Sequence, residues 1–342
     1  MEIPRELLKE IPKADLHVHL DGSLRVSTLI DLAKKQKITL PTSNQDDLTK
    51  LVKSGLNCRN LTEYLQGFEV TLSVMQEAQA LYRIAYELAE DAAEENIWYM
   101  EVRFSPILHI QRGLKLTTIV DSILEGLQGA ERKFNIKTGI IICGMRNINP
   151  ETSLKLAELA VFYKNKGVVG FDLAGQEENY PAKDHKEAFF LIRKNNINTT
   201  AHAGEAFGPE SIHQALHDCG AHRIGHGTHL YEDGDLLNYV NDHRIPLEIC
   251  LTSNVQTGAA KTIETHPFRF YYDYGLRVTI NTDNRLVSDT TLTDELYLVA
   301  KHHNLNMDDL KSIILDGFKS AFLPNRAKSI MLNLVNDKLK KY

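Results

Sequence analysis

Eight short runs of apolar, largely β-branched residues, each followed by a helix-like segment, predict an α/β fold, a (β/α)8 barrel of the TIM type. Two further observations support that class. Several runs are almost unbroken in apolar residues, as Gly139-Ile-Ile-Ile-Cys143 is, which suits parallel strands buried on both faces. Polar residues also collect at one end of the runs, where barrels of this kind carry their chemistry.

The runs fall near 13–20, 98–105, 137–145, 167–174, 198–203, 223–229, 246–252 and 277–282. The first ends in Asp21-Gly22, a turn signal. A long connection then runs from about 21 to 97, with helix-like pieces at 24–36, 60–75 and 77–95. In the middle piece Leu61, Tyr64, Leu65 and Phe68 recur at helical spacing. Long connections in barrels belong to the catalytic end or to lids, although a core-facing helix has the same periodicity. Asn149-Pro150 starts a later helix as N-cap and first turn, Gly208-Pro209 starts another, and Gly220 stops it. Segments near 291–303, 307–321 and 326–340 read as closing helices. An open doubly wound sheet competes with the barrel, but no GxGxxG follows the first run. With no low-complexity linker or short repeat, residues 1–342 read as one domain.

Composition narrows the function. The 342 residues carry 39 basic and 45 acidic side chains, a formal charge of −6, with 43% hydrophobic content. No basic block or aromatic-basic interleaving marks a nucleic-acid or anionic-membrane surface. A small molecule is the expected partner, and no pattern assigns an oligomeric state. The N-terminus lacks the apolar core of a signal peptide and no run has the length of a membrane span, so the cytoplasm is the expected compartment. Cys58, Cys143, Cys219 and Cys250 form no CxxC and read as reduced packing residues.

The chemistry begins at Leu16-His17-Val18-His19-Leu20. Side chains at i and i+2 of a strand share a face, so His17 and His19 aim two imidazoles at one point. Alone, an HxH is also what two unrelated histidines on a half-exposed strand look like. The other run ends supply Arg103 and Ser105, Asp172 and Gly175, His202-Ala-Gly-Glu205, His226 and His229, Thr252-Ser253-Asn254, and Asn281-Thr-Asp283-Asn284. From these, His17, His19, His202 and Asp283 assemble a metal site suited to zinc or another late first-row divalent ion, with a position left for water. Such an ion lowers the pKa of water from about 16 towards 7. Glu205, three residues past His202 across a glycine turn, is free to act as an acid, and His226 can orient the water or stabilise charge on its oxygen. Each has a structural rival: a strand-end histidine is commonly a hydrogen-bonded structural residue, and Glu205 could satisfy backbone N–H groups at a helix start. His109, His213, His302 and His303 are expected at the surface.

Taken together, Lys13-Ala-Asp-Leu-His-Val-His-Leu-Asp-Gly-Ser23, Glu101-Val-Arg-Phe-Ser-Pro106, Phe171-Asp-Leu-Ala-Gly175, Ala201-His-Ala-Gly-Glu205, Ile224-Gly-His-Gly227 and Ile280-Asn-Thr-Asp283 resemble the adenosine deaminases of the amidohydrolase superfamily, in order and over nearly the whole chain. The resemblance implies hydrolytic deamination at C6 of a 6-aminopurine nucleoside on a zinc-containing barrel. It makes His17, His19, His202 and Asp283 the metal ligands, Glu205 the proton donor to purine N1 and His226 the partner of the attacking hydroxide. Gly175 then meets N3 through its backbone, His19 and Asp21 lie near the ribose, and the helix bearing Leu61, Tyr64, Leu65 and Phe68 is an apolar lid. One departure stands out: Asn284 occupies a position where many relatives carry a second aspartate that contacts N7. An asparagine amide donates to N7 at any pH, so purine recognition survives. The substrate could then be adenosine, 2′-deoxyadenosine, an aminofutalosine-type nucleoside, adenine or a modified adenosine.

Three rivals are weaker. Two-metal amidohydrolases usually carry a modified lysine after strand four, where this chain reads Asp-Leu-Ala-Gly. The cytidine-deaminase type needs HxE with PCxxC, and only His185-Lys-Glu187 matches, in a segment read as an exposed helix. A catalytically silent nucleoside-binding protein has no need of the full ligand set and Glu205.

Overall fold

The computed structural model describes residues 3–53 and 68–342. Eight parallel strands stand in chain order, each hydrogen-bonded to the next. They are β1 (Lys13–His19), β2 (Ile97–Phe104), β3 (Lys137–Met145), β4 (Val168–Ala174), β5 (Asn198–Ala203), β6 (Arg223–His226), β7 (Leu247–Ile249) and β8 (Val278–Ile280). Helices intervene between the strands and close the chain after β8. The expected (β/α)8 barrel is therefore present.

Closure of the ring happens at one place. Beyond β8, Asp283 bridges to Val18 of β1: its N–H donates to the His17 carbonyl (2.8 Å) and its carbonyl accepts from the His19 N–H (2.7 Å). Side chains fasten the same seam. Asn281 Oδ1 accepts from the Leu16 N–H (2.9 Å), and the Thr282 hydroxyl donates to Asp15 (2.6 Å).

Opposite that seam the ring loosens. Strands β4 and β5 pair only at Gly170–Asn198 and Phe171–Thr199, so their C-terminal ends diverge. Buried backbone groups must still find partners. Arg146 supplies one by donating to the His202 carbonyl (2.7 Å).

The last three strands are shorter than their apolar runs. The chain leaves β6 at His226 in the left-handed region (φ 62°), and a helix, Leu251–Gln256, starts directly after β7. Thr252, Ser253 and Asn254 therefore lie on a helix rather than a strand end. Asn149 caps the helix Pro150–Phe162 and Pro209 opens Pro209–His217, as the sequence signals require. The long first connection contains Val26–Gln36, Gln45–Val52, Phe68–Ser73 and Ala78–Glu94; Leu61, Tyr64 and Leu65 lie outside the described residues. Among the described residues, no helix is long and apolar enough to cross a membrane.

The outer layer is apolar, with Ile140, Ile142, Phe171 and Ile224 fully buried against the helices. The interior is charged. Arg223, fully buried, donates to Glu101 (2.5 Å) and Glu248 (2.6 Å) and lays its guanidinium on the Phe322 ring, 3.5 Å from the centroid. Above it, Arg103 donates to Glu248 (2.9 Å) and Asp172 (3.2 Å). Three carboxylates and two guanidiniums thus alternate through the barrel, each ion paired as burial demands. One negative charge is left over, towards the C-terminal mouth.

Candidate active site

That mouth holds a cavity of about 220 Å³ lined by residues from most of the strand ends. His19, Asp21, Gly175, His202, Glu205, His226, Asp283, Asn284 and Phe68 all face it. His17, fully buried, sits directly beneath.

Four side chains converge at its floor. Nε2 of His202 lies 3.1 Å from Nε2 of His17 and 3.0 Å from Nε2 of His19. Oδ1 of Asp283 lies 3.5 Å and 3.4 Å from the same His17 and His19 nitrogens. The outer nitrogens are committed elsewhere: His17 Nδ1 donates to Glu248 (2.8 Å) and His202 Nδ1 to Asp172 (3.0 Å). A neutral ring with its proton on Nδ1 offers only a lone pair at Nε2. With both rings neutral, two lone pairs face each other at hydrogen-bond distance beside a carboxylate, an arrangement that a cation between them satisfies. With metal–nitrogen bonds of about 2.0–2.1 Å, neighbouring ligands of a tetrahedral ion stand roughly 3.3–3.4 Å apart, close to the spacing here. The donor set fits a divalent ion.

His226 stands beside this group; its ligand atom, with those of His17, His202 and Asp283, falls within one 4.8 Å cluster. It differs in its partners. Nδ1 meets the Asn254 amide at 2.9 Å, and Nε2 lies 3.6 Å from Glu205 Oε2. Both His226 and Asp283 have left-handed backbones (φ 62° and 60°). A non-glycine residue held there carries roughly 1–3 kcal/mol of strain, which the surrounding hydrogen bonds must offset. For Asp283 these include the two closure bonds and the Ser253 hydroxyl, which donates to Oδ2 (2.5 Å).

Glu205 is turned from the ion group into the cavity by Gly204, whose φ of 69° and close approach to Ile212 exclude a side chain. Its environment favours the neutral acid. Burial raises its pKa well above the ordinary carboxyl value, and the charges of Asp283 and Glu177 push the same way. Glu177 also holds the segment in place: its carboxylate accepts from the backbone N–H groups of Gly204, Glu205, Ala206 and Phe207 at 2.6–3.0 Å. Beyond the end of β5, this one carboxylate fixes the turn that carries Glu205.

On the opposite wall, Asp21 is buried, and its Oδ1 has no hydrogen-bond partner among the described residues. Burial raises its pKa to about 6. Asn284 is pressed against Gly22, where a Cβ would stand 1.9 Å from Asn284 Oδ1, so only glycine leaves room for that amide. Phe68, Leu72 and Leu108 form the apolar side. Leu61 and Leu65 lie outside the described residues.

Some expectations need correction. His109 and His303 are buried, not at the surface; His109 Nδ1 pairs with the Met75 carbonyl (3.1 Å) and His303 packs on Phe268. His185 is also buried, its Nδ1 bonded to Ser153 (2.8 Å), while Glu187 of the same HxE is exposed. Sequence reading also missed residues that shape the site. Glu248 had a visible signal, a lone carboxylate inside Pro246-Leu-Glu-Ile-Cys250. Arg103, Asp172 and Asn254 were visible as polar strand ends, without their roles. Glu177 sits in a loop with no local pattern.

The profile of the adenosine deaminase family matches residues 12–338. A probable adenosine deaminase of Dictyostelium discoideum is 42% identical over 340 residues, which make up 99% of this chain but 44% of that protein, so the chain spans less than half of its length. An adenosine deaminase of Clostridium kluyveri is 41% identical over 317 residues, covering 93% of this chain and 91% of the relative. Among solved structures, an adenine deaminase of Arthrobacter aurescens shares the fold, with a TM-score of 0.90 and 23% identity over 96% of this chain and 99% of its own.

Glu177→Gln leaves an NH2 group facing backbone donors. Hydrogen bonds to a charged group contribute roughly 1.5–3 kcal/mol each, so amide exchange across 204–207 should accelerate at least tenfold by mass spectrometry, with little change in distant strands. Unchanged protection would show that Glu177 does not hold the Glu205 segment.

Proposed function

The chain belongs to the adenosine deaminase family, and from that premise we propose that it hydrolyses adenosine, and 2′-deoxyadenosine with it, to inosine and ammonia. The observation that carries the reading is the meeting, in one cavity, of a four-ligand ion site with a buried carboxylic acid. His17, His19, His202 and Asp283 are the ligands we assign, because their ligand atoms approach one another within 3.0–3.5 Å. Zinc suits three imidazoles and a carboxylate. Such an ion lowers the pKa of water towards 7 and so supplies a nucleophile at neutral pH.

The chain's own residues do the rest. Glu205, held as the neutral acid, donates its proton to purine N1; this draws electrons from C6 and prepares it for attack. His226 faces the oxygen that adds to C6 and stabilises its charge. The Gly175 backbone, at a φ of 94° that glycine permits, meets N3, and the Asn284 amide donates to N7. Asp21, which lines the cavity next to His19, accepts from a sugar hydroxyl. Phe68 and Leu72 cover the base from the apolar side of the cavity, where excluding water strengthens each polar contact.

An ultraviolet assay over adenosine, 2′-deoxyadenosine, adenine, AMP and aminofutalosine, run beside metal analysis, tests the assignment. The expected result is turnover of the two nucleosides with about one zinc per chain. Activity confined to another member of the panel would reassign the substrate, and failure on all five would favour a binding protein. Glu205→Gln should lower kcat by roughly 10²–10⁴ while zinc content and inosine affinity stay near wild type; undiminished turnover refutes the proton-donor role. Because Asn284 donates to N7, 7-deazaadenosine should react at least tenfold more slowly than adenosine. Equal rates would remove that contact.

A further inference from the structure

Behind His226 runs a chain of three groups whose hydrogen-bond polarity is fixed at its far end. The backbone N–H of Phe268, a donor only, points at Nδ1 of His266 (3.0 Å). That nitrogen must accept. His266 is buried, and burial lowers its pKa to about 3, so the ring is neutral and carries its single proton on Nε2. Nε2 lies 3.1 Å from Oδ1 of Asn254 and donates to it. Turning the amide over would set two donors against each other, so the Asn254 NH2 faces His226 and donates to Nδ1 (2.9 Å). The remaining ring position, Nε2, is the one that faces Glu205 and the ion group.

We propose that Asn254 and His266 are positioning residues that lock His226 in the Nε2–H tautomer, so that His226 serves the reaction as a hydrogen-bond donor and not as a base. The inference rests on the deaminase reading for the oxygen to which His226 donates, but the tautomer itself follows from the relay alone. A donor at Nε2 stabilises negative charge on the oxygen that adds to C6. It has no lone pair there with which to take that oxygen's proton. The far end of the relay is a backbone amide at the start of the helix Phe268–Tyr274, so the setting derives from the fold rather than from a titratable group.

Nitrogen-15 NMR of the metal-loaded protein, labelled at the histidine rings and assigned by difference with His226→Gln, reads the tautomer directly. The expected spectrum gives His226 a pyridine-type Nδ1 and a pyrrole-type, protonated Nε2. A protonated Nδ1, in either the other tautomer or an imidazolium, overturns the proposal. Asn254→Asp, nearly isosteric, replaces the donor by an acceptor; it should move a proton to Nδ1 and lower kcat by roughly 10²–10³ with KM within about threefold. His266→Gln still donates to Asn254, so it should keep both the wild-type tautomer and a kcat within about threefold. Wild-type kcat in Asn254→Asp contradicts the proposal, as does a tautomer change in His266→Gln. If no purine were deaminated, the functional reading would fall while the wild-type spectrum still judged the relay.

Discussion

Arg103 is the constraint on which the site depends. Its guanidinium has no access to solvent, and a charge so placed is tolerable only when paired. The pairs it finds, Glu248 and Asp172, are the carboxylates that accept from His17 Nδ1 and His202 Nδ1. One buried cation therefore sets two imidazoles in the tautomer and rotation that present Nε2 to the mouth of the barrel. Arg103 also donates to the Leu16 carbonyl (2.7 Å), which ties the network to the strand bearing both first ligands. Below, Arg223 and Glu101 continue the alternation. The column ends one negative charge in excess, and Asp283 adds a second beside the histidines, a balance that a divalent ion completes.

Folding and site assembly share the same bonds. The barrel closes where Asp283 pairs with the backbone of His17 and His19, so the last turn of the sheet brings the Asp283 carboxylate to the two imidazoles. The opposite side of the mouth is open by contrast. There the strand ladder stops early, and side chains from neighbouring loops, Arg146 and Glu177, satisfy the backbone that carries His202 and Glu205. A wall closed by backbone pairing thus faces a wall held by side chains, and the cavity lies between them.

Strand periodicity and turn chemistry made the barrel legible, because parallel strands buried on both faces read as apolar runs whatever their partners. The proposed ligands were legible for a related reason: His17, His19, His202 and Asp283 are polar residues at the ends of such runs, where polarity is costly without a purpose. Residues that act through others were not. Glu248 and Arg103 meet across the barrel interior, 145 positions apart, and no local pattern reports that meeting. Asn254 follows an apolar run yet lies on a helix, since β7 is only three residues long. Periodicity does not reveal that His109 and His303 are buried inside the core.

The dependence of the ion site on Arg103 is most directly tested by the zinc affinity of Arg103→Met, measured by chelator competition on protein shown by circular dichroism to keep its α/β fold. Partners that orient metal-bound histidines typically contribute about 10–100-fold to affinity, so a loss of that size is expected, which Asp172→Asn should share in part. Zinc binding in the folded Arg103→Met protein as tight as in wild type would contradict it.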